Sequence, residues 1–287
     1  MGTAGDRTLK DRVVIVTGAS RGIGREIAVR VAADGANVAL LAKTVTLHPK
    51  IEGTLTETAQ AVREAGGQAL ALVCDVRDDT SVQAAVTEAA ATFGAIDVII
   101  NNAGALDLRR TPELTPRSFQ RLLATNVHGP FAVVQAAYDW LQQSDAAHIV
   151  NISPPLNLHR SWVGAHVGHT VGKYAESLLT LGWSAEFADI PIAVNSLWPA
   201  TTVASTGMRA AMGREVADAQ ARDPQIMADA TYALITRPAR DCTGNFFTDE
   251  QVLAQEGITD LSGYRLADRE EDLTPNFYLS STVLPTV

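Results

Sequence analysis

The chain has 287 residues, 46% of them hydrophobic, and a formal net charge of −9. That is enough apolar material for a substantial core in one large domain or two small ones, and the acidic balance argues against nucleic acid as a partner. No run approaches the roughly 18 uninterrupted apolar residues of a membrane helix, and the charged start, with Asp6, Arg7, Lys10 and Asp11, lacks the apolar stretch of a signal peptide, so a soluble, cytoplasmic protein is expected.

Val13-Val14-Ile15-Val16 opens the regular structure. Four β-branched residues in a row suit a parallel strand covered on both faces. In the stretch that follows, Thr17-Gly18-Ala19-Ser20-Arg21-Gly22-Ile23-Gly24, the glycines let the backbone turn sharply and approach a ligand. The helix beyond, running to about Asp34, points free N–H groups at the same spot, so a pyrophosphate is the natural occupant. Glycine triplets also occur in plain strand–helix connections; here the flanking strand, the helix and the alternation downstream favour the nucleotide site.

Asn37 to Ala42 reads as the second strand. In a doubly wound dinucleotide fold an acidic side chain at its tip takes the ribose hydroxyls, whereas a basic one suits a 2′-phosphate. This chain offers Ala42 and Lys43 there, with Arg21 in the glycine turn as a second cation, so NADP(H) is expected ahead of NAD(H). A longer connection, Thr44 to Gly53 with His48-Pro49-Lys50, precedes a helix from Thr54 to Ala65. Ala69 to Cys74 forms a third, buried strand, and Thr80 to Phe93 a helix capped by Asp78 and Asp79. Asp75, just after the third strand, faces the ligand edge of the sheet and is a candidate for a purine amine. Cys74 and Cys242, far apart, make neither a disulfide framework nor a metal motif.

Val98-Ile99-Ile100 is the fourth strand and runs into Asn101-Asn102-Ala103-Gly104, small and polar residues at the carboxyl edge where open α/β sheets bind ligands. Thr115-Pro116 opens a helix that continues through Asn126, with a kink expected beside Gly129 and Pro130, to about Leu141. His148 to Ile152 is the fifth strand, followed by the stiff turn Ser153-Pro154-Pro155-Leu156-Asn157-Leu158 and a long helix from about His166 to Phe187. Ile192 to Trp198 is the sixth strand, ending at Pro199. An excursion from Thr201 to about Ile235 is expected to be a substrate lid, with Trp162, Met208 and Met212 weakly suggesting an apolar substrate. Gly244 to Thr248 reads as the last strand. From Asp249 to Val287 the tail is expected to be irregular and surface-bound. The alternation predicts one doubly wound (Rossmann) α/β domain over residues 1–287 with a mostly parallel seven-stranded sheet.

The glycine turn, Asn101-Asn102-Ala103-Gly104, the Asn126 helix and the Lys173 helix together resemble a short-chain dehydrogenase/reductase over nearly the whole chain. Ala42-Lys43-Thr44 followed by His48-Pro49-Lys50, Asn151 to Leu158, and Thr243-Gly244-Asn245-Phe246 are similar to the hydroxysteroid dehydrogenase-like group. Some members of that group carry a C-terminal sterol-carrier domain or a peroxisomal tripeptide. This chain ends in Pro285-Thr286-Val287, so neither is expected. The resemblance implies a cofactor cradle of Gly18, Ser20, Arg21, Gly22, Ile23, Gly24, Lys43, Asp75, Val76, Asn102, Ala103, Gly104, Lys173, Pro199, Thr201 and Thr202. It also implies a homodimer or homotetramer built on the Asn126 and Lys173 helices, the latter presenting Leu178, Leu179, Leu181 and Ala185.

The family's tyrosine exchanges a proton with a carbonyl or alcohol, a lysine four residues later holds the nicotinamide ribose, a serine binds the substrate oxygen and an asparagine anchors a relay water. Lys173 and Asn126 match. Four residues before Lys173 stands His169, and Tyr174, about 100° around the helix, does not replace it. The usual serine position is Pro154, leaving Ser153 as the candidate. Three readings of His169 stay open: a general acid/base titrating near the ordinary imidazole pKa; a non-redox proton transfer, cyclisation or elimination; or a cofactor-binding protein without turnover. A metal shared by His166 and His169 is not expected.

Overall fold

Residues 7–46 and 52–279 are described by the computed structural model; His48-Pro49-Lys50, Asp6 and Pro285-Thr286-Val287 lie outside them. β1 (Val13–Thr17) stands at the middle of a seven-stranded sheet because its residues are apolar on both faces. Val14 and Val16 join one core, and Ile15 joins the other. The remaining strands are β2 (Asn37–Ala42), β3 (Gln68–Val73), β4 (Val98–Asn101), β5 (Ala147–Asn151), β6 (Ile192–Trp198) and β7 (Phe246–Thr248). Their order is β3-β2-β1-β4-β5-β6-β7 and every pairing is parallel. The chain winds outward from β1 through β2 to β3, then returns to β4 on the other side of β1, where Val14 pairs with Val98 and Val16 with Ile100. Between β1 and β4 the connections leave in opposite directions, which opens a crevice at the carboxyl ends.

On one face of the sheet α1 (Gly22–Ala32) and α10 (Gln225–Ile235) pack over Val14, Val16, Val38 and Leu40; on the other, α3 (Asp79–Phe93), α5 (Gly129–Leu141) and α7 (Val167–Glu186) cover Ile15, Leu41 and Ile99. Local chemistry sets the helix starts: Thr54 accepts from Glu57 N ahead of α2 (Leu55–Glu64), Asp78 accepts from Thr80 N and Ser81 N, and Thr115 from Ser118 N ahead of α4 (Pro116–Leu123). The kink expected at Asn126 is a π-helical segment, Ala124–His128, between α4 and α5.

Four expectations change in three dimensions. β3 is an edge strand with Gln68, Ala71 and Val73 exposed and the rest half-buried rather than a buried one, although Cys74 just beyond it is buried. The excursion from Thr201 divides: α8 (Thr206–Met212) and α9 (Arg214–Asp218) stand outside the sheet, whereas α10 is a core helix with Ile226, Met227 and Leu234 fully buried. Asp249–Gln255 is a helix, α11, opened by a capping box between Thr248 and Gln251 and packed through Val252 and Leu253. A further short helix, α6 (Arg160–Ala165), precedes α7.

The tail beyond α11 is irregular, yet it is threaded into the protein. Thr202 N donates to Thr274 O and Asn276 N to Ala200 O. Arg222, 2% exposed, gathers Glu250, Glu270 and the Leu261 carbonyl, which ties the tail to the segment after β6. Tyr278, also 2% exposed, is ringed by Trp162, Tyr174, Trp198 and Phe277, and its hydroxyl lies 3.2 Å from Thr170 Oγ1. Replacing a buried aromatic by alanine costs about 3–5 kcal/mol. Tyr278→Ala is therefore expected to lower unfolding stability by that amount in a denaturant titration; an unchanged midpoint would mean that the tail does not hold the core.

Candidate active site

The glycine turn brings two backbone segments closer than side chains allow. Gly18 has φ +66°, and a Cβ on it would lie 2.9 Å from Ala103 Cα; one on Gly24 would lie 2.7 Å from Gly18 O and 2.4 Å from Asn102 Nδ2. Asn102 fastens this contact: its Nδ2 donates to Thr17 O at 2.9 Å, while Thr17 Oγ1 accepts from the backbone N–H groups of Asn102 and Ala103 at 3.0 Å. Asn102 thus acts as a brace between β1 and β4. Arg21, at the N-cap of α1, makes no side-chain cap, so the first N–H groups of α1 are left for an anion. A Cβ on Gly22 would lie 3.6 Å from Ser205 Cβ, so the start of α8 faces the turn.

At the outer end a cleft of about 380 Å³ is lined by Gly18, Ser20, Lys43, Asp75, Val76 and Arg77, among others. Asp75 does not offer a free carboxylate. Arg77 grips it at 2.9 and 2.5 Å, and Lys43 Nζ stands 3.6 Å away. The Arg77 hydrogen bonds, aided by the nearby Lys43 charge, hold the Asp75 carboxyl down at about 2, so it stays ionised. Three cations, Lys43, Arg77 and Arg121, and one anion leave this end net positive. Arg77 escaped the sequence reading because nothing local places it beside Lys43; the parallel pairing of β2 and β3 does, with Ala42 opposite Val73. Arg21 lines the inner cleft instead, next to Gly22 and Ile23.

The inner cleft, about 310 Å³, is bounded by Asn102, Gly104, His169, Lys173, Pro199 and Thr202 on the protein's body, with Met208 of α8 and Asn276 and Phe277 of the tail completing its wall. Trp162 is spent in the aromatic cluster around Tyr278, and Met212 is exposed. Lys173, 6% exposed, donates from Nζ to Ile152 O and to Glu176 Oε2, both at 2.8 Å. Asn126, in the π-helical segment, closes on the Ala105 peptide from both sides: Oδ1 accepts from Ala105 N at 2.7 Å and Nδ2 donates to Ala105 O at 3.0 Å. Thr201 Oγ1 is buried without a partner.

His169 is 3% exposed. Burial, followed by the charges of Lys173 and His166, pushes its pKa down to about 3, against a weaker opposing hydrogen bond to the Ala105 backbone. The ring is therefore neutral across the physiological range, and the titration near the ordinary imidazole value expected from sequence moves out of it. Its Nδ1 has no partner. His166 is occupied elsewhere, its Nδ1 2.6 Å from Leu108 O, and the described residues contain no cluster of three or more His, Cys, Asp or Glu able to hold a metal. Ser153 turns away from the cleft: its hydroxyl is fully buried against Ser196 Oγ at 2.7 Å, in a polar chain continuing to Thr180 and Asn151. No side chain at the usual serine position meets the substrate space, since Pro154 stands there.

A glycine turn pressed against an uncapped helix start, a cationic outer end and an inner cleft bordered by Lys173 and Thr202 fit an extended dinucleotide. A family profile described as short chain dehydrogenase matches residues 12–217. The chain belongs to this family. It is similar to hydroxysteroid dehydrogenase-like protein 2 of Xenopus tropicalis, 43% identical over 94% of this chain and 64% of that protein, and to the Homo sapiens protein of the same name, 40% identical over 93% and 63%. The chain thus spans just under two thirds of the length of these relatives. Among solved structures it superposes on a short chain dehydrogenase from Mycobacterium thermoresistibile with a TM-score of 0.90 and 39% identity, covering 97% of this chain and 98% of that one. Among the described residues no helix is long and apolar enough to cross a membrane.

Proposed function

We propose that the protein is an NADP(H)-dependent oxidoreductase, in the cytoplasm, acting on a small hydrophobic carbonyl/alcohol pair, with His169 in the role of the family's tyrosine. The observation that carries this reading is the company His169 keeps: it lines the same inner cleft as Lys173, one step along the sheet edge from the glycine turn. The bound dinucleotide supplies or accepts a hydride. The chain's own residues do the rest. The N–H groups of the turn and of α1 hold the pyrophosphate, Lys43 and Arg77 hold the 2′-phosphate, Lys173 orients the inner ribose, and Thr201 and Thr202 border the nicotinamide. The nitrogen of His169 that lacks a partner is Nδ1. Nδ1 accepts the hydroxyl proton of an alcohol and returns it in the reverse direction. Asn126 holds the Ala105 peptide against which the ring is set. Met208 and Phe277 give the cleft its apolar wall.

A second reading, a nucleotide-binding protein without redox turnover, draws on three details: the shielding of Nδ1 from solvent, the inward turn of Ser153 and the capture of Lys173 by Glu176. A non-redox proton transfer, cyclisation or elimination would use the same residues, and no separate observation favours it. Exposed Phe131 on α5 and exposed Val171, Leu178 and Leu181 on α7 support a homodimer or homotetramer through those helices. Light scattering at micromolar concentration is expected to give a multiple of the 30.5 kDa chain mass, and a monomer would remove the proposal.

Two further outcomes are expected. NADPH binds more tightly than NADH by roughly ten- to a hundredfold, the worth of charge-assisted phosphate contacts. Lys43→Asp narrows or reverses that ratio in calorimetric titration, and equal affinities in the natural protein would defeat the cofactor assignment. His169→Ala abolishes turnover, while the natural enzyme shows no step near pH 6.5 and loses its base only as pH falls toward about 3, where Nδ1 becomes protonated. Under the second reading the natural protein oxidises and reduces nothing in a broad carbonyl and alcohol panel, and His169→Tyr gains activity; NADPH consumption by the three proteins across pH 5 to 9 separates the two.

A further inference from the structure

Glu176 has no place in the chemistry above, yet it is fully buried on α7, one turn beyond Lys173. A carboxylate in that position is costly unless paired. Its Oε2 takes a hydrogen bond from Lys173 Nζ at 2.8 Å, while its Oε1 has no partner. Lys173 is held from a second side by Ile152 O at 2.8 Å, and Trp198 lies with its ring centre 5.7 Å from Nζ. Gly104 keeps the remaining side open: a Cβ there would come within 3.7 Å of Nζ. The ammonium is therefore fixed by two partners at the wall of the inner cleft, and a carboxyl that no solvent reaches stands beside it to offset its positive charge. Burial pushes the Glu176 carboxyl up to about 7 even with Lys173 pulling it down, so whatever charge it carries at neutrality depends on that pairing.

We propose that Glu176 is a positioning residue of the active site: it pins the Lys173 ammonium beside the cleft and neutralises it, so that the nicotinamide end of the cofactor meets a pair of zero net charge instead of a lone cation. The inference rests on the nucleotide reading of the cleft. The nicotinamide ring is positively charged when oxidised and neutral when reduced, so the ratio of the two affinities reports net charge at the inner cleft, which packing alone does not alter.

Affinities for NADP⁺ and NADPH and melting temperatures are measured for the natural full chain, Glu176→Gln, Glu176→Asp and Lys173→Met/Glu176→Gln. Glu176→Gln keeps the volume and removes the charge, and is expected to weaken NADP⁺ relative to NADPH on the order of tenfold. Glu176→Asp, smaller but charged, stays within about threefold of the natural ratio, following the same charge rule. A packing role predicts the reverse order, with Gln tolerated and Asp not, and that result or an unmoved ratio in Glu176→Gln overturns the proposal. If Glu176→Gln does not fold, the double variant decides: removing the cation as well restores folding if Glu176 serves to compensate Lys173, and continued unfolding overturns it. If the natural protein binds neither nucleotide, the reading of the cleft fails, and the melting temperatures still judge the pair: a double variant melting above Glu176→Gln supports compensation, and one melting no higher refutes it.

Discussion

The close approach of the end of β1 to the backbone after β4 is the constraint on which the site depends. With Gly18 and Gly24 unable to carry a side chain against Ala103 and Asn102, the turn lies flat on its neighbour and α1 starts where its N–H groups face the crevice. Asn102 and the Thr17 hydroxyl lock that geometry with three hydrogen bonds between the two strand ends. Both clefts open from this junction, the outer one toward β2 and β3, the inner one toward β5, β6 and α7. A bulkier residue at either glycine would separate the strands' ends and lose both clefts together.

The inner cleft shows how burial redistributes chemistry among residues of unchanged identity. An imidazole in water exchanges protons near neutrality; His169, closed in beside Lys173, is neutral over that whole range. A glutamate in water is ionised at neutrality and indifferent to its neighbours; Glu176, closed in on the other side of Lys173, depends on it. The lysine thus faces one neutral base and one carboxyl whose charge depends on it, and the electrostatics of the site belong to the three residues jointly. The outer cleft obeys the opposite rule. Asp75, Arg77 and Lys43 are partly solvated: the Arg77 fork holds Asp75 ionised, while Lys43, 3.6 Å away and more than half exposed, is the loosely held cation.

The tail and the segment after β6 close the inner cleft from outside the parallel sheet. Arg222 joins them through Glu250 and Glu270, Tyr278 anchors the far end, and between these points Asn276 and Phe277 form part of the cleft wall. The shape of the inner cleft is therefore set in part by residues distant in sequence from α7, with Phe277 shared between the cleft wall and the aromatic cluster.

The amino-acid sequence by itself determined the parallel αβ alternation, the glycine turn with the helix that starts on it, the helix irregularity at Asn126 and the positions of Lys173 and His169. Each of these is written within a strand or a few helical turns, where periodicity, caps and backbone freedom act directly. The capping box of Thr248 and Gln251 was equally local, so α11 was legible there and the expected irregular tail begins only after Gln255. Tertiary structure alone decided the rest. Glu176 is visibly three residues after Lys173, yet only the packing of α7 buries it; Ser153 finds Ser196 on the neighbouring strand, Lys43 is brought beside the local Asp75–Arg77 pair by the pairing of β2 and β3, and Tyr278 enters a cluster with Trp162, Tyr174 and Trp198, all at least eighty positions earlier. Burial and partner choice depend on which surfaces the whole fold presses together, and these settle the charge and reach of each side chain in the site.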